Sequence, residues 1–260
     1  MIPIKDINRS LTKPHVNRIL IVVNVIVFLA MFLSDIGFIK SSFVANIGEN
    51  FAMYPYYIVQ GEKLYTLFTS MFLHSGWLHI VGNMLFLYIF GDNVEDIFGH
   101  FKYLIFYLIC GLAADFTYIL SLQSYDPLEA VVGASGAISG VLGAYLVLFP
   151  KAKILTLVFF GWVLLLPIPA IIFLGIWFVL QWFSALFEVG SNIAFWAHIG
   201  GFVAGMFLAL TFGLRRKRLF RQVIVPIPSK LGSVRHEFFI FTQSDWDGDI
   251  IPHRKNSIPV

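Results

Sequence analysis

The chain is dominated by apolar runs of about twenty residues that are separated by short polar links. A helix needs about 20 largely apolar residues to cross a hydrocarbon core about 30 Å thick. Because 58% of its 260 residues are hydrophobic and only 13% are charged, an ordinary soluble domain is excluded. The sequence therefore predicts an all-α membrane protein whose six spans occupy about residues 19–36, 72–90, 103–121, 132–149, 168–187 and 195–213.

One longer apolar run, residues 154–187, leaves two span counts to compare. As a single helix it is too long for one crossing, and two crossings would give seven spans. Pro167 and Pro169 break the run and leave residues 154–166 too short for a span. We therefore expect residues 154–166 to form a buried or interfacial piece and residues 168–187 to cross once.

The distribution of basic residues supports six spans. Lys and Arg are enriched in cytoplasmic links, and the links "SLQSYDPLEAV" and "EVGSN" contain neither residue. We expect a cytoplasmic segment 1–18, a membrane domain 19–214 and a cytoplasmic tail 215–260. A retained first span is favoured over a signal peptide, and nucleic-acid binding is the weaker explanation of "RRKRLFR". The basic residues that would face the cytoplasm are Lys5, Arg9, Lys13, Arg18, Lys151, Lys153, Arg215, Arg216, Lys217 and Arg218.

Three polar segments lie outside the predicted spans. The aromatic loop 37–71 is expected at the outer membrane interface. The carboxylates of "GDNVEDIFGH" are expected to be solvated or to cap a helix in a cytoplasmic turn. The tail 219–260 suggests no site. A single cysteine, Cys110, excludes a disulfide framework or a Cys-based metal site within the sequence.

Polar side chains recur near the outer ends of the second, fourth and sixth spans. Such groups are costly in a bilayer, so each is a functional candidate. They are His74, His79 and Asn83 in the second span, Ser135 and Ser139 in the fourth, and His198 in the sixth. His79 and Asn83 are four residues apart and share a helix face, whereas His74 points elsewhere and is expected to be structural or positioning.

Small residues predict that the fourth and sixth spans touch. Gly136-xxx-Gly140 and Gly201-xxx-Gly205 would form small faces that let two membrane helices approach closely. That approach could bring Ser135 within hydrogen-bond reach of His198. An imidazole can take the proton of a serine hydroxyl and so make it a nucleophile. The side chains of His79 and Asn83 and the backbone N–H of Ser135 could stabilise the developing oxyanion.

The segments "MFLHSGWLHIVGNMLFL", "GASG" and "AHIGGFVAG" together resemble the rhomboid family of intramembrane serine proteases. The resemblance covers about residues 50–212 and implies a six-helix rhomboid-like bundle. It implies that Ser135 is the nucleophile, His198 its dyad partner and His79 with Asn83 oxyanion contributors, with Gly133, Gly136, Gly201 and Gly205 as motif glycines. It also implies membrane-anchored protein substrates cleaved in or near their transmembrane segments, with no metal or cofactor. A Trp-Arg pair common in the first outer loop of the family is absent.

Other interpretations stay open at this point. A catalytically silent membrane-protein binder on the same scaffold, or a transporter using His74, His79, His198 and Asp115, would carry some of the same residues. Asp115 is expected to be solvated at a helix end. Gln181 and Ser184 would face the bundle or bond between helices. The prediction is an integral multi-pass protein of a bacterial plasma membrane, with both termini cytoplasmic. The substrate and the oligomeric state are not predicted.

Overall fold

The computed structural model describes residues 1–8, 10–160, 162–187 and 193–217. The link 188–192, with Glu188, and the tail from residue 218 onward lie outside the described residues, as do Arg9 and Gly161. The elements in chain order are β1 (Ile2–Asp6), α1 (His15–Asp35), α2 (Ser42–Ala45), α3 (Ile47–Phe51), α4 (Pro55–Val59), α5 (Thr66–Thr69), α6 (Trp77–Phe98), α7 (His100–Ser121), α8 (Ser135–Leu148), β2 (Lys153–Phe160), β3 (Trp162–Pro169), α9 (Ala170–Phe187) and α10 (Phe195–Leu208). A 3-10 turn, Ser70–Phe72, follows α5, and a π-helical turn, Ala209–Gly213, follows α10.

The protein is a mostly helical membrane protein, and its long helices lie where the apolar runs predict them. Within the described residues, four helices are long and apolar enough to cross a bilayer. They are α1, α7, α9 and the helix that α10 begins, which continues to Lys217. A fifth crossing is counted if Thr66–Phe72 and α6, which meet at 94°, form one bent span. The helix α8 has only 14 residues and would be about 21 Å long, so by length it does not cross alone.

Successive long helices run in alternating directions between two ends of the bundle. The end where α8 and α10 begin is called the site end, and the end where α8 finishes is called the sheet end. At the site end, the loop between α1 and α6 is folded into the short helices α2 to α5. It packs through a separate apolar cluster that includes Met53, Ile58 and Leu67 against Ile119 of α7.

A three-stranded sheet at the other end corrects the all-α prediction. The strand order is β1-β2-β3, and both pairs are antiparallel. Residue Ile2 pairs with Leu157, and Lys153 pairs with Pro169. The helix α9 starts only after Pro169, so the apolar run is broken there as expected, whereas Pro167 lies within β3 and pairs with Leu155. Helical periodicity could not reveal the sheet because continuous apolar runs fit buried helices and strands equally well.

The acidic segment "GDNVEDIFGH" is not a solvated turn, and that part of the prediction is wrong. The helix α6 continues through it to Phe98, and only Gly99 separates α6 from α7. Glu95 is completely buried and accepts hydrogen bonds from the backbone N–H groups of Val16 and Asn17 at 3.0 and 2.7 Å. These are unpaired donors of the first turn of α1, so Glu95 caps that helix across the bundle.

A neighbouring carboxylate holds the chain that leads into α1. Asp96 accepts hydrogen bonds from the backbone N–H groups of Leu11 and Thr12 at 3.0 and 2.9 Å and from the Thr12 hydroxyl at 2.6 Å. Nearby, Asp6 of β1 accepts hydrogen bonds from Asn93 at 2.7 Å and from the Tyr145 hydroxyl at 2.8 Å. The acidic segment therefore fixes the N-terminal residues to the sheet end of the helical core.

Candidate active site

The helices α8 and α10 pack in parallel with their backbones in contact. A Cβ atom at Gly201 would collide with the carbonyl of Gly136, and one at Gly205 would lie 2.6 Å from the Cα of Gly140. The same order of residues along both helices shows that they point in the same direction. Glycine on both sides removes the side chains that would hold the helices apart.

This packing brings Ser135 and His198 to the same end of two touching helices. Ser135 is the first residue of α8 and directly precedes Gly136. His198 lies three residues before Gly201, in the first turn of α10. Both residues are half-buried.

A glutamine of α9 holds the His198 ring. Gln181 Oε1 lies 2.7 Å from His198 Nδ1. Because the amide oxygen can only accept, Nδ1 must carry the hydrogen, and Nε2 of a neutral ring is then left as a proton acceptor. The Trp177 ring lies beside the imidazole, with 6.1 Å between ring centroids. The sequence left the tautomer of His198 open, and a glutamine inside an apolar span was the only available signal.

The ring of His79 carries its hydrogen on the other nitrogen, Nε2. Its Nδ1 lies 3.0 Å from the Ser75 hydroxyl and 3.5 Å from the Ser75 backbone N–H. A backbone N–H can only donate, so Nδ1 accepts and Nε2 carries the hydrogen. The Nε2 atom lies 2.7 Å from the position that a Cβ of Gly133 would occupy, and this position is 3.6 Å from Ser135 Oγ. The His79 N–H therefore lies beside the candidate nucleophile.

The lack of a side chain at Gly133 lets the His79 ring lie against the chain just before Ser135. The φ of +132° at Gly133 is a conformation that residues with a Cβ rarely adopt. Its backbone N–H donates to the carbonyl of Ser70 at 3.0 Å. Two residues earlier, Val131 and Met53 exchange backbone hydrogen bonds of 2.7 and 3.1 Å. The loop between α1 and α6 thus clamps the segment that leads into Ser135, a role that the sequence did not indicate.

Asn83 lies one turn beyond His79 on α6 and supplies a second donor. Its side chain is 9% exposed. The Nδ2 atom is buried and has no hydrogen-bond partner among the described residues. An unsatisfied buried donor is costly in the resting state and is available for charge that develops during a reaction.

His74 does not occupy the position expected for it. It was predicted on a helix face away from His79, but the chain bends between Phe72 and Trp77, and His74 lies before α6 begins. Its ring is buried and meets the His79 ring edge-on, with 5.0 Å between centroids. His74 therefore packs against His79 from the side of the loop.

Two other candidates stand apart from this geometry. The Ser139 hydroxyl donates to the carbonyl of Ser135 at 2.7 Å, which is the ordinary bond of a helical serine to the preceding turn. Asp115 was expected to be solvated, but its side chain is 8% exposed. Its Oδ2 atom has no hydrogen-bond partner in the described part of the chain.

The part of the chain that contains these residues is similar to a known protein family. The sequence model of the Rhomboid domain matches residues 61–215, which include every candidate site residue. This chain belongs to the rhomboid family. The match starts within the loop before α5 and ends near the end of the helix that begins with α10.

Named rhomboid relatives have different activities. RHOMBOID-like protein 12, mitochondrial, of Arabidopsis thaliana is 30% identical over 78% of this chain and 59% of its own length. Rhomboid protease GluP of Bacillus subtilis (strain 168) is 33% identical over 65% of this chain and 31% of its own. Inactive rhomboid protein 1 of Rattus norvegicus is 30% identical over 58% of this chain and 16% of its own. The chain thus spans less than two thirds of the length of these rhomboids.

Proposed function

We propose that this rhomboid is an intramembrane serine endopeptidase that uses Ser135 and His198 as a catalytic dyad. The observation that carries the proposal is the contact of Gly136 and Gly140 with Gly201 and Gly205, because it brings the ends of α8 and α10 that bear the two side chains together. Substrates are membrane-anchored proteins cleaved within or near their transmembrane segments. A relative named as a protease supports the assignment, and a relative named as inactive makes a direct test necessary.

In the proposed reaction, Ser135 Oγ attacks the carbonyl carbon of the scissile peptide bond while His198 Nε2 takes the hydroxyl proton. Gln181 holds the proton on Nδ1 and so keeps Nε2 free to accept. The protonated ring then gives its proton to the leaving amine. Water attacks the acyl-enzyme with His198 again as the base, which releases the second product and restores the serine hydroxyl.

The negative charge that forms on the carbonyl oxygen needs donors that are already in place. The Nε2–H of His79 and the side-chain amide of Asn83 lie on one face of α6 and supply two of them. The backbone N–H of Ser135 at the start of α8 supplies a third, since first-turn donors have no partner within the helix.

The substrate reaches the site past α9. Only Ala170, Phe173 and Leu174 of this helix are buried, so most of its surface faces lipid. A transmembrane helix held by few contacts can shift aside more easily than one inside the bundle. We further propose that the chain crosses a bacterial plasma membrane six times. The sheet end would face the cytoplasm, because Lys5, Lys151 and Lys153 lie there.

Cleavage of a membrane-anchored reporter in proteoliposomes tests the proposal. The wild-type protein should release the reporter domain, and Ser135→Ala and His198→Ala should each abolish release while folding normally. Undiminished cleavage by Ser135→Ala would contradict the assignment. A wild-type protein that binds the reporter without cleaving it would favour the silent binder instead. Proteomic comparison of cells with wild type and Ser135→Ala would then identify natural substrates.

A further inference from the structure

The hairpin of β2 and β3 exposes large apolar side chains that nothing in the described chain covers. Near the start of β2 it is packed, with Ile154 and Thr156 fully buried. Toward the tip of the hairpin the side chains are exposed instead. Five large apolar residues are between 42% and 64% exposed, namely Phe159, Val163, Leu164, Leu165 and Leu166. Contiguous exposed apolar surface of this kind marks a contact with a membrane or another protein.

The exposed residues lie on both faces of β3. Side chains alternate between the two faces of a strand, so Val163 and Leu165 lie on one face and Leu164 and Leu166 on the other. Stacking against one partner protein would cover a single face. A surrounding apolar solvent covers both faces at once. This distribution favours lipid over a second copy of the chain.

The edge of the hairpin limits how deep it can go. In the order β1-β2-β3, the outer edge of β3 has no neighbouring strand among the described residues. Backbone groups on an open edge need water, which the hydrocarbon core does not provide. Pro167 and Pro169 also lie in β3 and cannot donate to a further strand, which disfavours pairing with a second copy. The hairpin therefore suits the boundary between headgroups and acyl chains.

Basic residues surround the packed end of the hairpin. Lys5 of β1, Lys151 and Lys153 are all exposed there. Ammonium groups next to a membrane surface attract anionic headgroups. No Asp, Glu, Lys or Arg occurs from residue 154 to 187. The hairpin thus has charged residues at its packed end, which suit the headgroups, and apolar residues at its tip, which suit the acyl chains.

We propose that the β2–β3 hairpin is an interfacial membrane anchor at the sheet end. Its tip residues lie in the boundary between headgroups and acyl chains, and its lysines contact anionic headgroups. Because α9 starts directly after β3, the depth of the hairpin fixes where α9 enters the bilayer. The inference does not depend on the proposed protease activity.

Depth measurements on the full chain test this proposal. Cys110 is the single cysteine, so Cys110→Ala provides a background for one spin label at Val163→Cys, Leu164→Cys or Leu165→Cys. Collision rates with oxygen and with a water-soluble nickel complex are compared in vesicles of phosphatidylcholine with a minor fraction of phosphatidylglycerol. Ser124→Cys, in the exposed link between α7 and α8, serves as the aqueous reference and Val179→Cys, exposed on α9, as the lipid reference.

We expect all three hairpin labels at depths between the two references, about 5–10 Å into the interface. Nickel accessibility equal to that at residue 124 would place the hairpin in water and overturn the proposal. Depth equal to that at residue 179 would place it in the core and also overturn it. Spin–spin broadening that disappears on dilution with unlabelled protein would identify a second copy as the partner instead.

A charge reversal tests the contribution of the lysines. The double variant Lys151→Glu with Lys153→Glu should make the residue 163 label shallower in vesicles that contain phosphatidylglycerol. In vesicles of phosphatidylcholine alone the depth should not change. An unchanged depth in both kinds of vesicle would overturn the headgroup contact.

Discussion

Gln181 on α9 and His198 on α10 form a hydrogen bond of 2.7 Å between Oε1 and Nδ1. Among the described residues no carboxylate is hydrogen-bonded to His198, so this bond determines which ring nitrogen carries the proton. The ring nitrogen that is left without hydrogen is the one a base requires. The bond also links the most exposed long helix to the proposed base His198.

Removing the amide acceptor of Gln181 should lower kcat and leave KM almost unchanged. We expect Gln181→Leu to lower kcat by about 10- to 100-fold with little change in KM, because proton transfer to a positioned base contributes about 10²- to 10⁴-fold. Gln181→Glu keeps an acceptor at the same place and should restore most of the loss. Steady-state cleavage of a reporter checks both, with Leu180→Ala, which faces lipid on the same helix, as the control. Equal kcat values for Gln181→Leu and wild type would show that Gln181 only packs.

The absence of a side chain at Gly133 should be essential for activity. A Cβ there would lie 2.7 Å from His79 Nε2, and the φ of +132° would be strained. We expect Gly133→Ala to reduce kcat/KM by more than about 100-fold, since it displaces an oxyanion donor. Gly82→Ala is the matched control, because nothing lies within 4 Å of a Cβ at Gly82. If both variants cleave the reporter like wild type, the close contact between Gly133 and the His79 ring does not position His79 for catalysis.

The helix contact at Gly205 should determine stability as well as activity. A Cβ at this position would meet the backbone of Gly140, which cannot move aside as a flexible side chain could. Overpacking of this kind costs about 1–3 kcal/mol. We expect Gly205→Ala to lower the thermal unfolding midpoint in detergent and to lose cleavage. Gly175→Ala has no neighbour within 4 Å and should unfold like wild type. A normal midpoint for Gly205→Ala would indicate that α8 and α10 are not in backbone contact.

Stability should depend on pH through Asp6. Burial raises the pKa of this carboxyl to about 6, although the hydrogen bond from Tyr145 acts in the other direction. The pKa of an Asp in an unfolded chain is about 3.9. Between about pH 4 and pH 6, the folded protein therefore holds a proton that the unfolded chain releases. The contribution of Asp6 to stability therefore falls as the pH rises through this range.

Asp6→Asn removes this titration but keeps an acceptor for Tyr145 and Asn93. We expect its unfolding midpoint to match wild type near pH 4 and to exceed it above pH 6. Thermal unfolding in detergent at several pH values checks this, with the exposed Asp35→Asn as the control. Parallel curves for wild type and Asp6→Asn would contradict it.

The sequence predicted the positions of the long helices because apolar length reflects bilayer thickness. It also indicated the small-residue faces of α8 and α10, since spacing of four residues places glycines on one side of a helix. It did not indicate the sheet, because the apolar run before Pro167 fits a strand or a buried helix. The bend before α6 was also missed, and the position of His74 was wrong as a result.

Contacts between distant segments were the least predictable part of the site. The capping of α1 by Glu95 joins residues 78 or more positions apart, and no local pattern marks such a pair. The same holds for the bond of Ser70 to Gly133 and for that of Gln181 to His198. Tertiary packing determines these partners, and their residue types alone do not.

Labelling with a fluorophosphonate probe tests most directly whether His198 activates Ser135. The serine oxygen attacks phosphorus and fluoride leaves, so a stable adduct forms only on an activated hydroxyl. Mass spectrometry of the labelled protein in detergent should place the adduct on Ser135 in wild type and find none in Ser135→Ala or His198→Ala. An adduct on Ser139, or equal labelling of wild type and His198→Ala, would contradict the dyad.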